Sequence, residues 1–136
     1  TGDKKSADHI LSEQASNLEK NQSYIDSTAK LVKLAYELFN QLNNNNINNI
    51  GNILDQGWQI KKGLADGITN DYVNSLYERA MNAGADGGKL LGAGKSGCIL
   101  LYANKKYHAS IRNTLQLREL DFSFETQGSS IIYNQN

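Results

Sequence analysis

Three things are scarce in this sequence, and each scarcity removes a class of function. There is one cysteine, Cys98, so no internal disulfide can form and a reducing compartment is the expected setting. There is no net charge: 14 lysines and arginines balance 14 aspartates and glutamates, leaving no general basic field to hold nucleic acid or an anionic membrane surface. No apolar run approaches the length needed to cross a bilayer. The two histidines, His9 and His108, fall on separate expected helices and make no metal pair. These absences point to a soluble, cytoplasmic protein without a nucleic-acid or membrane partner, acting on a small, locally recognised ligand. What is present is enough for one core: 39% of the 136 residues are hydrophobic, which suits one domain over residues 1–136 and not two. The chain opens at Thr1 with no initiator methionine and no secretion signal beside it, so the expectation is a part of a longer protein.

The first half has helical periodicity. Ser6 is placed to cap a helix with apolar contacts at Ala7, Ile10, Leu11 and Ala15, ending near Asn21. A second helix starts around Ser23, and Ile25, Ala29, Val32, Tyr36, Phe39 and Leu42 draw one apolar stripe that is expected to pack. The run "NNNNINN" reads as a turn, because Ile47, Ile50, Ile53, Leu54 and Trp58 carry the helical period on into a third helix. Gly63 and Gly67 break that pattern. Asn70 or Asp71 then caps a fourth helix with Val73, Leu76, Tyr77 and Ala80 inward, and Gly84 suits its C-terminal cap.

The period changes after Gly84. "KLL" and "CILLYA" are short apolar runs suited to buried strands, followed by a helix over "KKYHASIRNTLQL" with Tyr107, Ile111 and Leu115 four residues apart. "LDFSFE", alternating Leu120, Phe122 and Phe124, and "SSIIYNQ" read as two more strands. The order predicts an α+β sandwich that lacks only a leading strand to be a ferredoxin-like β-α-β-β-α-β arrangement with a helical insertion and an extra strand.

Between the first two strands lies "GAGKSG", whose glycine, lysine and serine have the letters of a P-loop. The spacing fails, because five residues before Gly94 stands Lys89, not glycine. The context fails as well, since "CILLYA" reads as a strand and a P-loop must run straight into a helix. What remains is a glycine-rich loop joining two strands. It is either a wide hairpin with no ligand or a concavity of backbone amides that holds an anion with Lys95 beside it.

At this loop the sequence resembles the C-terminal domain of the GHMP kinases, whose third motif is a strand, a loop close to "GAGGGG" and a second strand. "GGKLLGAGKSGCILLYA" carries the likeness through Lys89, Leu90, Gly92, Ala93, Gly94, Gly97 and Cys98. A narrower resemblance covers nearly the whole chain: "TGDKKSADHIL", "GWQIKKGL", "GADGGKLLGAG" and "FETQGSSII" are similar to the bacterial D-glycero-D-manno-heptose 7-phosphate kinases. Thr1, Gly2, Lys5, Ser6 and Ala7 fit a segment of those kinases, with lysine where arginine is usual. The resemblance implies use of ATP and Mg2+ to phosphorylate the anomeric hydroxyl of a sugar phosphate, toward nucleotide-activated heptose. It implies a substrate- or phosphate-side loop of Gly92, Ala93, Gly94, Lys95, Ser96 and Gly97, with Thr1, Gly2, Lys5 and Lys89 as candidate substrate contacts.

The resemblance also implies what this chain does not contain. The family's N-terminal domain, with its "PxxxGLGSSSA"-like ATP loop and acidic catalytic residue, is absent, so no catalytic residue or metal ligand is assigned here. ATP and Mg2+ would be held mainly by that domain, a partner of this chain together with the sugar phosphate. Alone, the chain should be inactive. Loss of the leading strand, central in a ferredoxin-like sheet, should leave unpaired edges and apolar surface, and with them reduced stability.

Individual residues leave alternatives open. Lys95 and Ser96 stand where the family has glycines: Lys95 is either a phosphate contact or a solvent-facing turn lysine. Lys89 either reaches the cleft or marks the solvent side of its strand, and Lys61 and Lys62 are snorkelling lysines in preference to ligands. Trp58 is expected in the core, with its indole nitrogen needing a partner, and Cys98 as a small buried residue rather than a nucleophile. Asp3, Asp8 and Glu13 resemble an acidic cluster, but a first helical turn explains Asp8. Two readings of different class remain: a substrate-side kinase domain, or a non-catalytic ligand-binding or regulatory domain on the same fold. A nucleic-acid-binding ferredoxin-like domain is disfavoured, because Phe122 and Phe124 lie between the acidic Asp121 and Glu125.

Overall fold

The computed structural model describes residues 7–94, 96–124, 126 and 128–130. In chain order it runs α1 (Ala7–Lys20), α2 (Gln22–Asn43), α3 (Ile50–Lys62), α4 (Asp71–Asn82), β1 (Gly87–Gly94), β2 (Ser96–Tyr102), a short 3-10 turn (Lys105–Tyr107) and α5 (His108–Leu115). The helical first half, the small antiparallel sheet and the helix after it are the α+β order expected from the sequence.

Local chemistry sets the boundaries. The chain holds no proline, so nothing removes a backbone donor inside the 22 residues of α2. The side chain of Asn21 accepts from the Ser23 amide at 2.9 Å and starts α2, and that of Asn70 accepts from the Val73 amide at 2.8 Å and starts α4. The asparagine tract ends α2. With Asn45 in the left-handed region, the amides of Asn45 and Asn46 donate to the carbonyls of Leu42 and Gln41. The same pair of bonds ends α4, from Gly84 to Met81 and from Ala85 to Ala80.

The core lies where α1, α3, α4 and β1 meet. Ile10, Trp58, Leu64, Ile68, Val73, Tyr77 and Leu90 form one cluster, and Ala80, Ala85 and Ile111 a smaller one under α5. The segment after α3, read from sequence only as a break, is part of this core through Leu64, Ala65 and Ile68. It is tied to α1 by the Asn17 side-chain amide donating to the Leu64 carbonyl at 3.0 Å, and by the Asp66 amide donating to the Glu13 carboxylate at 2.9 Å. In the sheet β1 pairs with β2 antiparallel, Gly87 opposite Tyr102 through Leu91 opposite Cys98.

Three expectations are corrected. The α2 stripe of Ile25, Val32, Tyr36, Phe39 and Leu42 faces outward, 45–67% exposed. The helix is apolar over more than half its circumference, and Leu31, Leu34 and Leu38 on the neighbouring stripe turn toward α3 and β1 instead. On α1, Ile10 is buried while Leu11 and Ala15 are exposed. The strand expected at Leu120, Phe122 and Phe124 is absent: residues 116–124 carry no regular structure, and Phe122 and Phe124 touch edge to face 5.7 Å apart in solvent. Alternation makes a strand only where the segment pairs with a neighbour, and among the described residues the sheet holds β1 and β2 alone. The other expected strand, "SSIIYNQ", falls mostly outside the described residues.

Helix α3 seats on β1 through glycine. A Cβ on Gly51 would lie 2.4 Å from the Asp86 Cβ, and one on Gly87 would lie 1.8 Å from the Gly51 carbonyl oxygen. In an open helix alanine gains roughly 1 kcal/mol over glycine. Here the clash should reverse that sign, and Gly51→Ala is expected to lose about 1–3 kcal/mol in urea unfolding, because α3 must lift from the strand.

Candidate functional site

The "GAGKSG" segment is the tip of the β1–β2 hairpin. The register runs regularly to Leu91 opposite Cys98, then shifts so that Gly94 pairs with Ser96. Three steps on β1 against two on β2 put one extra residue, within Gly92–Ala93, into a bulge that bends the strand. Gly92 and Gly97 have φ of 111° and 133°. At Gly97 a Cβ would lie 2.1 Å from the Leu91 carbonyl oxygen, so both conformation and space require glycine there. A strand, not a helix, follows the loop, which agrees with the rejection of a P-loop.

Of the residues assigned to the loop, Gly92 and Gly97 are exposed, and Ala93, Gly94 and Ser96 hold strand backbone at the tip. Lys95, Thr1, Gly2 and Lys5 lie outside the described residues. The structure therefore brings the loop glycines together and leaves their relation to the N-terminal segment undescribed. Lys89 is on the solvent-facing side of β1, alternating with buried Leu90, and it borders a cavity together with Lys61 and Trp58. Cys98 corrects an expectation: it is exposed, in register with the exposed Leu91 of β1. Trp58 is 2% exposed, as a core residue should be, but its indole nitrogen has no hydrogen-bond partner.

One polar pair under the hairpin is not apparent from the sequence. The Tyr77 hydroxyl donates to the Asp55 carboxylate at 2.8 Å and reaches the Gly88 carbonyl at 3.3 Å, joining α4, α3 and β1. Burial first, then the Asp55 hydrogen bond and charge, raise the Tyr77 hydroxyl well above the ordinary phenol value, with the Gly88 contact opposing slightly. Helical spacing marked Tyr77 as core. The only signal of the pair was that a buried phenol needs an acceptor. Among the described residues, no group of three histidine, cysteine or acidic side chains could hold a metal ion, and no helix is long and apolar enough to cross a membrane.

An α+β domain that presents a glycine-rich hairpin braced from beneath by a helix is the class this geometry defines. The family described as GHMP kinases C terminal matches residues 31–117, which takes in α3, α4, the whole hairpin and α5, and the chain belongs to this family. It is similar to D-glycero-alpha-D-manno-heptose 7-phosphate kinase of Campylobacter jejuni subsp. jejuni serotype O:2, 29% identical over 79 residues. That match takes in 56% of this chain and 23% of the relative, so the chain spans about a quarter of the protein it resembles.

The Tyr77 pair gives a pH test. The folded state holds the Tyr77 proton more tightly than the unfolded chain does. The stabilisation is therefore complete below the unfolded phenol value of about 10 and is lost as pH rises above it. Tyr77→Phe is expected to cost about 1–2 kcal/mol at neutral pH. In urea unfolding it should also flatten the alkaline decline relative to the unmodified protein. An equal decline in both proteins would remove the pair from the account.

Proposed function

We propose that this chain is the substrate-side C-terminal domain of an ATP-dependent sugar kinase, acting in the cytoplasm on the anomeric hydroxyl of D-glycero-D-manno-heptose 7-phosphate, for nucleotide-activated heptose synthesis. The observation that carries the reading is the bulged glycine hairpin within a domain of the GHMP kinase family, together with similarity to a heptose 7-phosphate kinase. The exposed Gly92 leaves room for an anionic group beside the loop backbone, and the sequence puts the positive charge of Lys95 in the same loop. As the family resemblance implies, Thr1, Gly2, Lys5 and Lys89 would contact the sugar phosphate.

ATP and Mg2+, which a kinase of this family would use, would be held mainly by an upstream domain of the parent protein. Two features support such a partner. The far edge of β2 has no strand beside it among the described residues, and α2 and residues 117–124 expose large apolar side chains. A strand from the upstream part of the parent protein, paired along β2, would close the sheet and give the Leu120–Phe124 segment a place to dock.

An ATP-dependent phosphorylation assay of the parent protein across heptose and hexose phosphates is the test. Heptose 7-phosphate should be the preferred acceptor, the 136-residue chain alone should give no turnover, and turnover of none of the sugars would overturn the kinase reading. Lys95→Ala in the parent should raise the sugar-phosphate KM by about tenfold, the size of one charge-assisted hydrogen bond. An unchanged KM would leave Lys95 a turn lysine.

A further inference from the structure

Beside the hairpin, α2, α3 and β1 line an open cavity of about 420 Å³, within the range of about 300–1,000 Å³ usual for small-ligand sites. It lies beside the loop and shares Gly92 with it. Its walls are aliphatic, with Leu34 and Leu38 from α2, Leu54 from α3 and Leu91 from β1. Among the described residues, the charged ones that line it are Lys61 and Lys89, and no carboxylate does so. Among the described residues, where the one ion pair is Arg112–Glu119, neither lysine has an acidic partner. In a chain of zero net charge this is a local excess of two positive charges at the side of an apolar hollow.

Trp58 also lines the cavity, while its indole N–H, which has no acceptor, is covered by protein and lies away from the hollow. Two cations beside an aliphatic hollow match one kind of molecule, which has an anionic head on an apolar body.

We propose that the α2–α3–β1 cavity is a binding site for a medium-chain aliphatic carboxylate, its chain against the leucines and its carboxylate held by Lys61 and Lys89. This goes beyond the kinase reading and does not depend on it. An occupant would touch Gly92, where the hairpin begins to bulge, so the site is also placed to influence the loop.

Trp58 is the only tryptophan in the chain, so its emission reports occupancy directly. The 136-residue chain, shown folded by far-UV circular dichroism, is titrated with hexanoate, octanoate and decanoate below their micelle concentrations. The expected result is a saturable change in Trp58 emission, with affinity rising about fourfold for each added CH2. Decanol should bind at least tenfold more weakly than decanoate. The double variant Lys61→Met, Lys89→Met should lose at least tenfold in decanoate affinity while keeping the circular dichroism spectrum, and Lys61→Arg, Lys89→Arg should retain binding. No saturable change, equal binding of decanol, or undiminished binding by the methionine variant would overturn the proposal.

Discussion

Everything that positions the hairpin depends on how closely α3 approaches the start of β1. Gly51 and Gly87 meet with no room for a side chain on either. That contact fixes which face of α3 turns inward. Gly51, Asp55 and Trp58 lie at positions i, i+4 and i+7 of one helical face, so seating the first on the strand turns the others inward as well. Asp55 then meets the Tyr77 hydroxyl, and Trp58 enters the core with its ring 6.2 Å from that of Tyr77. The strand held in this way carries Leu90 into the core and leaves Lys89 outside. It bends at Gly92 only after leaving the helix that supports it.

The helices were legible because their signals are local. The Asn70 cap, the Val73, Leu76, Tyr77 and Ala80 face, and the Gly84 stop all act within one or two turns. What the sequence did not reveal depends on partners distant in the chain. The apolar residues of α2 form two adjacent stripes, and periodicity cannot say which one turns toward α3. Alternation at Leu120, Phe122 and Phe124 has strand period, but a strand also needs a paired neighbour, and this segment pairs with neither β1 nor β2. The burial of Leu64 and Ile68 in an irregular segment follows from their ties to α1, which no window of the sequence contains.

The site divides in the same way. The strand, loop and strand around "GAGKSG" were readable from glycine content and flanking apolar runs, and the spacing alone rejected a P-loop. The bulge was not readable, because it is a property of the pairing between β1 and β2. Nor was the exposure of Cys98, which lies in register with the exposed Leu91 of β1. Trp58 was assigned to the core with the expectation of an indole partner. The structure has the burial without the partner.

The seating of α3 on β1 can be read directly from proton–proton contacts in solution. In a nuclear Overhauser spectrum of the labelled chain, the Gly51 α-protons should give a strong cross-peak to the Asp86 β-protons, and the Gly87 α-protons one to the Asp55 amide. Both should appear beside the cross-strand peaks between Gly88 and Leu101 that establish the hairpin. Cross-strand peaks without either α3–β1 peak would contradict the account, because the hairpin would then form without the helix that is held to position it.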